Sequence, residues 1–179
     1  MIDQPPTAQA APGLSVPAGI GLVVAIFVFS SLWIGLGGRV LHLHSFFASF
    51  VFAWYWGSVE KAAFNRLPSS ILGALLGVFL SWLLAYLSAH YGTAGLLVGV
   101  LAIAVSVFCL VMQYLASVVN MSAMLFMALL SAPQFTGTLN YLDMAATIVA
   151  GALFMAGVLY AGQRIFAARQ QARARLKVA

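Results

Sequence analysis

Six apolar stretches follow one another along the chain, over about Ala18–Gly38, Leu43–Gly57, Pro68–Ala89, Ala94–Tyr114, Val119–Ala132 and Met144–Phe166. A helix needs roughly 20 apolar residues to cross a hydrocarbon core about 30 Å thick. The first, third, fourth and sixth stretches have that length. The second and fifth are shorter, and a segment of that size either thins the bilayer or turns back within it. Pro68 opens the third stretch, where a first-turn proline is tolerated. The expected fold is an all-α, polytopic membrane helix bundle with six spans.

Charge supports the choice of lipid as solvent. The 76 residues between Arg66 and Asp143 carry no formal charge, and Asp3, Glu60 and Asp143 are the chain's three acids. At 64% hydrophobic, little is left over for a soluble domain. Residues 18–166 are therefore assigned to the membrane domain. Residues 1–17, interrupted by Pro5, Pro6, Pro12 and Pro17, read as a short disordered cytoplasmic tail. That segment has no Lys or Arg, so it lacks the positive region of a cleaved leader. Residues 167–179 form a basic cytoplasmic tail.

Basic residues set the orientation. Arg164, Arg169, Arg173, Arg175 and Lys177 follow the last apolar stretch, where they suit the cytoplasmic face and anionic headgroups. No aromatic residue follows Phe166, which argues against nucleic acid as a partner. Six spans with the N-terminus inside place Arg39 outside and the other seven basic residues inside. Removing both short stretches from the count gives five against three, so the distribution favours six spans with both termini cytoplasmic.

Each half reads long, short, long. Offset by 78 residues, His42 meets Asn120 and Gly73-Ala74-Leu75 meets Gly151-Ala152-Leu153. Three spans per half would make the second half inverted, a 3+3 plan common among transporters and channels.

Several residues carry candidate chemistry. Gly73-x-x-x-Gly77 and Gly95-x-x-x-Gly99 each place two small residues on one helix face for close packing, within the subunit or between copies in a homo-oligomer. His42 and His44 lie at the expected outer end of the first span, with His90 at another outer end. Interfacial placement explains them best, with pH sensing as the sharper use. Trp54-Tyr55-Trp56, Trp33, Trp82, Tyr86 and Tyr91 fit an aromatic belt, or else a stacking site for a planar substrate. Met121, Met124 and Met127 form a stripe better suited to core filling than to a soft metal. Cys109 stands alone in an apolar run, so no intrachain disulfide or CxxC site is available. No metal or other cofactor is expected. Glu60, Lys61 and Arg66 form the one mixed-charge cluster, and Asp143 opens the last helix as an N-terminal cap. Gln113 and Asn120 bracket the entry to the fifth stretch, at a depth where amides usually face protein or water.

Ser31-Leu32-Trp33-Ile34-Gly35, Ser45-Phe46-Phe47-Ala48, Glu60-Lys61-Ala62-Ala63 and Ile71-Leu72-Gly73-Ala74-Leu75-Leu76-Gly77 resemble the YcdZ-like domain-of-unknown-function family of bacterial inner-membrane proteins. The likeness covers roughly residues 18–166 and departs at Val59-Glu60, where the family pattern has a glycine pair before the lysine. It implies a multi-pass protein of the bacterial inner membrane and brings no activity with it. Arg66 to Gly77 is also remotely similar to the fusaric acid resistance and aromatic acid exporter superfamily, which would imply efflux of small organic anions.

The function expected from these features is transport or channelling of a small solute. The path would run between the two short stretches, with Asn120 and Gln113 along it, His42 or His44 at the outer mouth, and Glu60 and Lys61 at the inner one. The alternative is a non-transporting membrane accessory or assembly subunit. An enzyme is not expected, since Glu60 and Asp143 fall on opposite sides of the membrane and cannot form a carboxylate pair. No nucleotide-binding loop is present, so direct ATP coupling is not expected either.

Overall fold

The computed structural model describes residues 15–132 and 139–178. Its described part is all-helical. The first helix, α1, spans Val16–Arg39, with Pro17 in its first turn. It is followed by α2, Phe46–Ser58, and a 3-10 turn, Phe64–Arg66, that leads into α3, Leu67–Val111. The last two helices are α4, Met121–Leu130, and α5, Tyr141–Val178. The basic positions after residue 166 continue α5 as helix rather than leaving it.

By length and composition, α1, the α3 region and α5 are able to cross a membrane. With 13 residues, α2 rises about 20 Å, and α4 with 10 rises about 15 Å. Each is shorter than the roughly 30 Å of a hydrocarbon core, so crossing it would require the bilayer to thin around them.

The third and fourth apolar stretches are both within α3. That helix breaks at Gly92, where φ is 58° and ψ is −136°. Glycine lacks the Cβ that would clash there, so the chain reverses at the expected boundary between the two stretches. The 67–91 and 93–111 arms fold back on each other. A methyl on Gly95 would strike the Leu87 carbonyl, and one on Gly99 would come within 2.7 Å of Leu84 Cδ1.

The core collects Ala48, Phe52 and Trp56 from α2, Ala74 and Val78 from α3, Phe126 and Leu130 from α4, and Met144, Ile148 and Ala152 from α5. The α4 helix lies along the first arm of α3. There a Cβ on Gly77 would press into the backbone at Ala123 and Met127. The Ser81 hydroxyl adds a polar rivet, bonding the Gly77 and Met127 carbonyls at 3.0 and 3.2 Å and Ser131 Oγ at 3.3 Å. Likewise α2 lies along α5, where a Cβ on Gly151 would stand 2.5 Å from Ser49 Cβ. All four predicted packing glycines (73, 77, 95 and 99) are buried inside the subunit.

Burial recurs along the chain in register. The thirteen positions 67–79 match 141–153 in burial class, each to each. Positions 46–56 match 120–130 at all but one site, Tyr55 against Leu129. The offset is 74 residues, one helical turn less than the register read from the sequence. Gly77, not Gly73, is thereby the counterpart of Gly151, Phe52 of Phe126, and Ser49 of Ala123. A slip of four keeps the same helix face, so small-residue matching alone does not separate the two registers.

Candidate functional site

Two junctions, each made where a pair of helices begins, hold most of the polar groups singled out above. At the first, α2 and α5 start side by side. The Asp143 carboxylate accepts from the His44 N–H at 3.1 Å and the Ser45 N–H at 2.7 Å. The Asn140 side chain caps α5 instead, accepting from the Asp143 N–H at 3.1 Å. Asp143 is thus the cap of α2 rather than of its own helix. One carboxylate faces the positive ends of two helices, which is the favourable sign at both. His44 contributes its backbone, and its side chain is exposed. His42 adopts φ 53° and turns the chain between α1 and α2.

At the second junction α3 and α4 start side by side. Asn120 caps α4, its Oδ1 accepting from the Ser122 and Ala123 N–H groups at 3.0 and 3.3 Å. Its Nδ2 donates to the Ser69 carbonyl of α3 at 2.8 Å. A Cβ on Gly73 would collide with this amide. The C-terminal end of α2 arrives here too. The Tyr55 hydroxyl donates to Glu60 Oε1 at 3.1 Å. Trp56 Nε1 donates to the Ala63 carbonyl at 3.1 Å and fixes the loop. Within that loop Lys61 and Ala62 take φ 52° and 55°. Gln113 also has positive φ, and its amide donates to its own helix at Leu110.

These positions do not line one passage. Asn120 is spent on three hydrogen bonds, Gln113 is exposed, and the two histidines belong to the other junction. Between the short helices Phe52, Trp56, Phe126 and Leu130 pack as core and are at most 2% exposed. Two grooves lie elsewhere. One of about 680 Å³ runs between α3 and the start of α5, lined by Val78, Phe79, Trp82, Asn140, Tyr141 and Ala145 among others. Phe79, Trp82, Tyr86 and His90 continue from it as a ladder of rings, with centroids 5.7, 5.3 and 4.2 Å apart. The other groove, about 300 Å³, is enclosed by α1, α2 and α5.

The belt reading is corrected at two tryptophans. Trp33 is 1% exposed, donates to Ser49 Oγ at 2.9 Å and stacks on Phe154 at 5.3 Å. Trp56 is equally interior, whereas Trp54 and Trp82 stay exposed. Trp33 and Ser49 were missed as a pair, because a contact 16 residues apart between two helices leaves no periodic signal. No family model, curated protein or solved structure matches this chain. The resemblance to the YcdZ-like family therefore rests on its quoted residues alone.

Proposed function

We propose that this chain is a six-pass protein of the bacterial inner membrane, both termini cytoplasmic, that moves a small solute between two inverted halves. The observation that carries this reading is the recurrence of burial at 67–79 and 141–153. With it goes a reciprocal arrangement, in which each short helix packs along a long helix of the other half. Because α2 begins at the first junction and ends at the second, the two junctions stand about 20 Å apart, at opposite ends of the bundle. Short helices framed by the long ones of two related halves are a recurring way to place a solute site at the interface between the halves.

In this reading the junction residues act as gates rather than as a continuous lining. His42, His44 and Asp143 hold the outer end shut. Asn120, Glu60 and Lys61 hold the inner end, with Gln113 on the chain leading to it. The solute carries little charge, since the chain offers no standing counter-charge between the ends.

Flux into liposomes holding the purified protein, across a panel of small amides and weak organic acids, tests the proposal. Wild type should exceed empty vesicles for at least one solute, and Asn120→Leu should change that rate. Flux indistinguishable from empty vesicles for every solute favours the second reading, a non-transporting accessory subunit. That reading is supported by the close-packed apolar core that α2 and α4 share and by the exposed apolar flank of α1. Its partner would be another membrane chain or a second copy.

A further inference from the structure

The halves that share a burial pattern depart from it in their outer helices. At the 74-residue offset, the 93–111 arm of α3 corresponds to residues 19–37 of α1. The arm is held by its first half, where Gly95 and Gly99 press on Leu87 and Leu84. In contrast, α1 is held by its second half. Trp33 is interior, and a Cβ on Gly37 would lie 2.7 Å from the Phe46 ring. The counterparts are loose in both helices. Gly21, matching Gly95, has no atom within 4 Å of where its Cβ would stand. Ala25, matching Gly99, faces the 300 Å³ groove across from Val158. Val107 and Val111, matching Trp33 and Gly37, are 41% and 72% exposed. Val158 and Ala161 of α5 are themselves the counterparts of Leu84 and Leu87. The groove is therefore the unfilled version of a contact that the other half makes.

We propose that α1 and the 93–111 arm exchange these two packings. In the second state α1 docks through Gly21 and Ala25 onto Val158 and Ala161 and closes the groove. The arm releases Gly95 and Gly99 and leans in through Val107 and Val111. This deepens the transport reading and rests on the inverted repeat in it. Related units packed in two ways supply the pair of discrete arrangements that a switch requires. The contacts exchanged are van der Waals contacts at small residues, whose loss lipid tails largely replace. The polar contact that must break is Trp33–Ser49. Ser49→Ala therefore weakens the present packing and shifts the population toward the second state.

Disulfide trapping in native membranes, in a Cys109→Ala background, decides the matter. Leu84→Cys with Gly99→Cys reports the present packing, because a Cβ placed on Gly99 would stand 3.6 Å from Leu84 Cβ, within bonding range for two cysteines. Gly21→Cys with Ala161→Cys reports the second packing. Both pairs should form on oxidation, and Ser49→Ala should raise the initial rate of the second by about threefold or more. A threefold ratio corresponds to about 0.7 kcal/mol at the conversion of 1.4 kcal/mol per tenfold. If the 84–99 pair forms and the 21–161 pair never does, with or without Ser49→Ala, the exchange is overturned. If the 84–99 pair fails as well, the packing from which the exchange was inferred is wrong and the proposal falls with it. The trapping result is independent of flux. Trapping of both pairs without flux would remove the transport reading and leave the exchange, and flux without the second pair would do the reverse.

Discussion

Gly73→Ala adds one methyl group, and it should cost as much as removing the side chain it strikes. The added Cβ falls on the Asn120 amide. That amide satisfies two N–H groups of α4 and bonds the Ser69 carbonyl of α3. Moving it aside forfeits an N-cap worth about 1 kcal/mol and an interhelical hydrogen bond worth about 1 kcal/mol. Moving the helices apart instead costs about 1–3 kcal/mol. The better helix propensity of alanine returns at most about 1 kcal/mol. Gly73→Ala should therefore lose about 1–2 kcal/mol. Asn120→Ala should lose about 2 kcal/mol, for the cap and the interhelical bond together. The double variant should be no worse than Asn120→Ala alone, because the new methyl occupies space the amide has left. The coupling is then about 1–2 kcal/mol in favour of the double variant. Reversible unfolding in mixed micelles by a denaturing detergent, followed by far-UV circular dichroism, measures all three. Gly157→Ala, at a glycine with nothing within 4 Å, is the control and should lose nothing. Additivity of the two substitutions to within about 0.5 kcal/mol would refute the reasoning.

Gly77→Leu should abolish folding or assembly while Leu76→Ala is tolerated, since only the former drives a side chain into the α4 backbone; equal yields of monodisperse protein would count against this. Trp33→Phe should lower stability by about 1–2 kcal/mol, through the lost Nε1 bond and the Ser49 hydroxyl left behind; an unchanged melting temperature would place Trp33 outside the core. Asp143→Asn keeps the shape but removes the charge between two helix starts, and should cost about 1 kcal/mol with faster hydrogen exchange at the start of α2; exchange there matching wild type would separate the carboxylate from that helix. Cysteine labelling of a Cys109-free protein should find positions 61 and 170 on the cytoplasmic side and 42 on the other; labelling of 61 and 42 from the same side would remove the six-pass topology.

The helices were legible because a long apolar run without charge has the composition of a membrane span regardless of its neighbours. The break at Gly92 lies between two apolar stretches for the same reason. Gly73 and Gly77 announced a close-packed face because small residues are what permit one. Asp143 was recognised as a helix cap from its place in the chain, but that place names only its own helix. Serving α2, 98 or 99 residues away, required the fold to bring two helix starts together. Asn120 looked free for a solute because the groups that use it, the Ser69 carbonyl and the space at Gly73, are about 50 residues distant in sequence. The register of the burial match depended on packing as well. Residues four apart share a helix face, so only burial, fixed by which helices touch, separates an offset of 74 from one of 78. Local chemistry determined where the chain could cross and turn. Which polar group answers which was decided by the meeting of helices distant in sequence, whose unpaired backbone ends need partners.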